Sequence, residues 1–276
     1  MDVINYAASR RLLALAKGHP YDREAFAGLL SGLDEYDVAL VEQPAAQRCL
    51  VPDAADEYDA LLCYDMPGVD FSSGESVPPL VEPDPQLQAD FLALLERGIG
   101  VVFMHHALAA WPAWPAYADV VGGRFHYRPA TLRGETWPDS GYRHKVRHRI
   151  SVLEQHPVTE GIPEAFTMTD ELYLCPVFSE EVLPLLRSDF SFDSEHFYSA
   201  AQAVAGTMNS NDGWEHPPGS GLVGWVKAWG GSPIVYLQGG DDAEAMASEH
   251  FQRLVHNAVR WVSSAQAREW ARGVSG

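Results

Sequence analysis

Several features that assign a chain to a class are missing here. No stretch reaches the ~20 consecutive apolar residues needed to span a bilayer. Only three cysteines occur, Cys49, Cys63 and Cys175, widely spaced and odd in number. That spacing argues against a disulfide framework or a cysteine-based zinc site, and the three read as small buried hydrophobes. Positive charge is scarce, with 19 Lys and Arg against 38 Asp and Glu and a formal net charge of −19. Such a surface repels phosphate backbones and anionic membranes, so nucleic acid and membrane are not expected partners. Phosphate-loop, HExxH and EF-hand patterns are absent, and Gly98-Ile99-Gly100 precedes a strand where a dinucleotide fingerprint would follow one. At the amino terminus, Asp2 and Asn5 interrupt the first apolar stretch and Arg10-Arg11 precede the next, unlike a secretory signal. A cytoplasmic location is expected.

What the sequence does contain is the alternation of an α/β protein. Apolar residues make up 46% of the 276, enough for one sizeable core. Residues 11–17 read as a strand, residues 22–33 as a helix, and 38–42 and 60–64 as short buried strands. A Pro-, Gly- and Ser-rich loop follows over 66–85, then a helix to residue 97 and a continuous apolar strand over 101–104. Further strands are expected at 124–127, 147–153 and 234–237, an irregular excursion over 188–221, and a closing helix over 244–261. This order predicts a doubly wound, mostly parallel sheet in a single domain with an irregular insertion.

In such sheets ligands bind beyond the carboxyl ends of the strands. His19, Asp65, the pair His105-His106, and Gly239-Gly240-Asp241-Asp242 all follow predicted strands and are candidates for one rim. His105 and His106 stand where a strand passes abruptly into a helix, a turn that exposes a side chain. An imidazole with a pKa of ~6.5 can move protons there, orient a hydroxyl or bind a metal; the plainer reading is a ring packed under a loop. Thr169-Asp170-Glu171-Leu172-Tyr173 offers two acids and a phenol. Strand geometry sends Asp170 and Glu171 to opposite faces, so only one of them can meet a given substrate unless the chain turns.

All eight tryptophans lie after residue 110. Flat rings such as Trp111, Trp114, Trp137, Trp214, Trp225 and Trp229 suit pyranose faces, although Trp also anchors loops, so one or two contacts with ligand are expected. His126, His148, His156 and His196 could join His19 and His105 in a metal site only after folding. The basic segment of Arg143, His144, Lys145, Arg147, His148 and Arg149 reads as an exposed strand and its turn.

Two adjacent segments resemble the ThuA-like, or trehalose-utilisation, family of the class I glutamine amidotransferase-like superfamily. They are ERGIGVVFMHHALAAWPAWPAYADVVGGRFHYRP and HRISVLEQHPVTEGIPEAFTMTDELY, with the tail from Trp229 to Val262 a looser match. The resemblance covers about residues 11–262. It implies an amidotransferase-like sheet and an association with trehalose, other glucosides or their keto-sugar forms. The family's last strand commonly ends in Gly-His-Asp, whereas Gly239-Gly240-Asp241 stands here, and His196 is a candidate to supply the missing imidazole. His105 occupies the place of the amidotransferase cysteine, so glutamine hydrolysis through a thioester is not expected.

The resulting expectation is a carbohydrate enzyme, an isomerase, lyase or hydrolase, working by acid–base chemistry. His105 and Asp170 or Glu171 would be catalytic, and His19, Asp65, His106, Trp111, His126, Tyr173 and Asp241 would bind substrate. A non-catalytic sugar-binding protein and a metal-dependent hydrolase or lyase are the alternatives. No organic cofactor is expected, a divalent metal stays open, and fold analogy suggests a homodimer.

Overall fold

The computed structural model describes residues 8–75 and 77–274. Asp2 and Asn5, on which the amino-terminal reading rests, lie outside them. The strands are β1 (Arg10–Lys17), β2 (Tyr36–Glu42), β3 (Ala60–Asp65), β4 (Gly100–Met104), β5 (Ala130–Leu132), β6 (Glu135–Trp137), β7 (Gly141–Val152), β8 (Ala165–Leu174), β9 (Leu183–Ser188), β10 (Tyr198–Ser199), β11 (Leu222–Trp229) and β12 (Ser232–Leu237). The helices are α1 (Arg23–Ser31), α2 (Ala54–Glu57), α3 (Pro85–Glu96), α4 (Pro115–Val121), α5 (Ala200–Val204), α6 (Ala243–Met246), α7 (Glu249–Val262) and α8 (Ala265–Val274).

Five strands form a parallel core in the order β2-β1-β3-β4-β12. Their apolar runs are continuous because both faces are covered. Leu12, Ala14 and Ala16 meet Phe26, Leu29, Phe251 and Leu254 from α1 and α7, whereas Leu13 and Leu15 belong to the opposite layer with Phe91 of α3 and Tyr117 of α4. The sheet is therefore doubly wound, as the alternation of elements predicts. Helix starts are capped by side chains: Asp22 accepts from Ala25 N–H, Asp84 from Gln86 N–H ahead of Pro85, and Ser248 from Phe251 N–H. At Gly100 a Cβ would stand 2.1 Å from the Val262 carbonyl oxygen, so only glycine lets α7 pack this close to β4.

Beyond β12 the sheet continues antiparallel through β11, β9 and β7, and β7 also pairs with β8 and β10. Three sequence expectations change here. Residues 124–127 are not a strand; Gly123 makes one isolated bridge to Val177, and the buried Arg124 guanidinium donates to the carbonyls of Trp111, Pro112 and Trp114. Its alternating pattern reflects a loop anchored by that guanidinium. The single closing helix is broken at Ala247-Ser248, where Ser248 caps α7, and α8 follows. Within 188–221, β10 and α5 are the regular elements.

Candidate active site

The carboxyl ends of β1 and β4 meet one side of β7 and β8 at a cavity of about 850 Å³. His19 follows β1, and its Nδ1–H donates to the Pro20 carbonyl at 2.9 Å. His106 donates through Nε2–H to the Tyr64 carbonyl at 3.0 Å, and its ring lies 5.1 Å from that of His19. Both imidazoles are held below the ordinary pKa, chiefly by burial and further by the nearby charge of His105. They face the cavity as neutral rings.

His105 begins the turn after β4 with φ of +50°, the left-handed region that a non-glycine residue seldom occupies. Its Nδ1 lies 2.7 Å from the Gln238 carbonyl oxygen, and a carbonyl can only accept, so Nδ1 carries a proton. Nε2 is thereby aimed at Glu171 Oε2 at 3.2 Å, Asp241 Oδ1 at 3.5 Å and the Tyr173 hydroxyl at 2.9 Å. Burial alone would lower its pKa, but hydrogen bonds to Asp241 and Glu171 outweigh that and hold it well above the usual value.

Glu171 and Asp241 are shared with a second imidazole. His144 Nδ1 lies 3.1 Å from Glu171 Oε1 and 3.6 Å from Asp241 Oδ2. Its hydrogen bond to Asp241 raises its pKa against partial burial. Asp241 is in turn held well below the carboxylate range, because its bonds to His105 and His144 overcome the burial that would raise it. The result is a row of alternating charge: imidazole, paired carboxylates, imidazole. Glu171, His144, Tyr173, His19 and His106 line the cavity, while His105 is fully buried behind them. His105 is thus placed to position Glu171, in contrast to the direct contact with substrate expected of it.

Asp170 and Glu171 point to opposite sides of β8, as strand geometry requires. Asp170 accepts from the N–H groups of Gly240 at 2.8 Å, Asp241 at 3.1 Å and Glu171 at 2.8 Å. It is a buried clamp on the loop that carries Asp241, and burial pushes its pKa up to about 6. Its expected catalytic role is therefore corrected.

Other expected ligand contacts fall elsewhere. Asp65 is buried away from the cavity, accepts from Gln43 Nε2 at 2.6 Å and has its pKa raised to about 6 by desolvation. Trp111 packs in the layer with Phe91 and Trp114, and none of the tryptophans lines the cavity. Indoles at these positions anchor loops, as when Trp225 donates to the Val121 carbonyl at 2.8 Å. His126 is buried outside the cavity with Nε2 unpartnered. His196 is exposed and pairs with Asp193 at 2.6 Å, so it does not supply the imidazole missing from the last strand. The second imidazole of the site is instead His144, within the segment expected to be an exposed basic strand. The aromatic lining comes from Tyr21, Phe71, Phe125, Tyr127, Tyr142 and Tyr173.

No thiol competes for the nucleophile position: Cys63 and Cys175 are buried, and none of the three cysteines lines the cavity. One cluster has the donor set for a cation, since His105, Glu171 and Asp241 each offer a ligand atom within 4.8 Å of the others.

The doubly wound sheet with a histidine at the sharp turn after its central strand defines an α/β protein of the class I glutamine amidotransferase-like fold. More narrowly, the chain belongs to the ThuA family, described as trehalose utilisation, whose model matches residues 31–262. Among solved structures it is similar to a ThuA-like protein from Parabacteroides merdae, with 17% identity, TM-score 0.64, and coverage of 92% of this chain and 90% of that one. A ThuA-like protein from Bacteroides uniformis gives 17% identity, TM-score 0.60, and 92% and 91% coverage. PurLQS from Thermotoga maritima gives 9% identity, TM-score 0.50, and 92% and 98% coverage, a likeness of fold alone. Comparison with curated proteins gives no match. Among the described residues no helix is long and apolar enough to cross a membrane.

Proposed function

We propose that this chain is an enzyme that acts on a glucoside or its keto-sugar form by acid–base chemistry at Glu171 and His144. The observation that carries this reading is the Glu171 carboxylate at the cavity wall, 3.2 Å from His105 Nε2 and 3.1 Å from His144 Nδ1. A carboxylate fixed between two imidazoles has a proton acceptor and a proton donor side by side. Glu171 takes the proton from the carbon beside a sugar ketone, and the electron pair moves into the enolate. Protonated His144 then delivers its proton to the enolate oxygen, giving an enediol that isomerises when its neighbouring hydroxyl returns a proton to His144 and Glu171 gives its proton to the former carbonyl carbon, or to the departing glycosidic oxygen as its C–O bond breaks, giving elimination. His105 and Asp241 hold the pair in place. Each positioned group contributes ~10²–10⁴-fold in such chemistry. The family's association with trehalose utilisation supports a carbohydrate as substrate.

The test is incubation of the purified chain with trehalose, simple glucosides and their 3-keto derivatives, following product by mass spectrometry. Turnover that Glu171→Gln abolishes supports the enzyme reading. Stabilisation without product would replace it by a sugar-binding protein.

The converging donor set favours a second reading, in which His105, Glu171 and Asp241 would hold a divalent cation that would supply Lewis-acid polarisation of a sugar oxygen. The bond from His105 Nδ1–H to a backbone carbonyl is the arrangement that orients metal-ligating imidazoles. Elemental analysis of protein purified without a metal-affinity tag, and loss of turnover in EDTA with recovery on adding a divalent ion, would select this reading.

A further inference from the structure

We infer that the site prefers glycosides in which one sugar ring is joined to an apolar aglycone, an aryl or cycloalkyl group, over disaccharides. The inference rests on the glucoside reading above and concerns the far end of the same cavity. Polar groups are unevenly placed around it. His19, His106, His144 and Glu171 gather at the strand ends with Phe125 beside Tyr173, whereas Phe71, Ala200, Ala203, Val204 and Met208 supply much of the remaining wall, and the exposed Glu75 adds a further carboxylate to the lining.

The phenols do not correct this imbalance, because their hydroxyls are already engaged by the protein. Tyr21 donates to Glu42 at 2.8 Å, Tyr127 to the Met66 sulfur at 3.1 Å and Tyr173 lies 2.9 Å from His105 Nε2, while Tyr142 accepts from Asn209 N–H at 2.9 Å. What they turn to the cavity is ring surface. The two cations of the lining, Lys17 and Arg23, both pair with Glu42. A second pyranose lying in this half would bring hydroxyls that lose water and gain few partners, which opposes binding. An aryl or cycloalkyl group carries no such penalty.

Two further observations point the same way. The cavity, at about 850 Å³, has room well beyond a single sugar ring. At its edge Phe71 and Met208 remain 45% and 56% exposed, large apolar surfaces that an aglycone would cover.

The experiment measures the affinity of the full chain, by calorimetry, for methyl, phenyl and cyclohexyl glucosides in both anomeric forms, for trehalose, and for free phenol. Phenyl glucoside should bind about tenfold or more tightly than methyl glucoside and trehalose, as burial of one ring predicts. Phe71→Ala and Met208→Ala, both at exposed positions, should erase that preference and leave methyl glucoside binding unchanged. Trehalose binding as tightly as phenyl glucoside, or a preference indifferent to both variants, overturns the aglycone inference while the sugar reading stands. Phenol binding as tightly as phenyl glucoside, or no binding by any glucoside, overturns the sugar reading as well.

Discussion

His144 meets Glu171 where β7 is bulged. Arg143 pairs with Leu172 and Val146 with Asp170, so His144 and Lys145 together face the single residue Glu171. The extra residue is absorbed by Lys145 at φ +55°, whose ammonium is tied to Asp242 and Glu244. A bulge of this kind re-aims one side chain without ending the strand. Here His144 shares the cavity side with Tyr142, and the extra residue turns Val146 and Ile150, which follow it, into the opposite layer.

That placement predicts the effect of removing either partner. Glu171→Gln and His144→Ala should each lower kcat/KM on the cognate keto-sugar by ~10²–10⁴-fold, since each removes one positioned proton carrier. His144 is about half exposed and its loss should barely move the melting temperature. Circular dichroism alongside turnover separates the two effects; an active His144→Ala enzyme would remove it from the mechanism.

The charge row also fixes the direction of His144 titration. Its hydrogen bond to Asp241 raises the folded pKa above the ordinary value, so the ion pair is fully formed below about 6.5 and is lost as pH rises through the raised pKa. Nuclear magnetic resonance titration should therefore place the His144 midpoint above that of a free histidine. In Asp241→Asn the midpoint should fall back toward it, and an unchanged midpoint would show that Asp241 is not its partner.

Much of the sheet was legible in the sequence because buried parallel strands are apolar on both faces. Residues 11–17 and 101–104 read as strands directly, and their ends carry His19 and His106 to one rim with His105 buried behind it. The alternation rule separated Asp170 from Glu171, but the choice between them depends on which face of β8 looks into the cavity. His144 was not legible, since a bulge is a property of the pairing between strands and not of either strand alone. Trp111 misled for another reason: an indole looks the same in sequence whether it stacks on a sugar or fills a layer beside Phe91.

Asp170 should matter for stability more than for chemistry. Asp170→Ala leaves three backbone donors, those of Glu171, Gly240 and Asp241, without their acceptor in a buried place. Each unsatisfied donor costs ~1–3 kcal/mol. Relaxation of the loop recovers part of this, so a loss of about 3 kcal/mol is expected in urea unfolding. Asp170→Asn retains one acceptor oxygen and should lose less.

Acid should destabilise the fold through histidines outside the site. Burial lowers the pKa of His126, His148 and His156 to about 4 in each case. Their neutral forms contribute stability that is present above the unfolded value of ~6.5 and is lost as pH falls toward 4, because the unfolded chain takes up protons first. Asp65 opposes this: its pKa, raised to about 6, favours the folded state increasingly as pH falls from 6 toward 3.8. Three such histidines against the two carboxyls Asp65 and Asp170, whose pKa values are raised to about 6, leave a net loss of stability as pH falls below 6.5. His148 is the cleanest probe, since its Nδ1 bonds Ser188 Oγ at 2.8 Å while Nε2 is buried without a partner. His148→Leu should flatten the dependence of unfolding free energy on pH by about one proton between 6.5 and 4. A variant with the slope of the parent would place the acid sensitivity in another group.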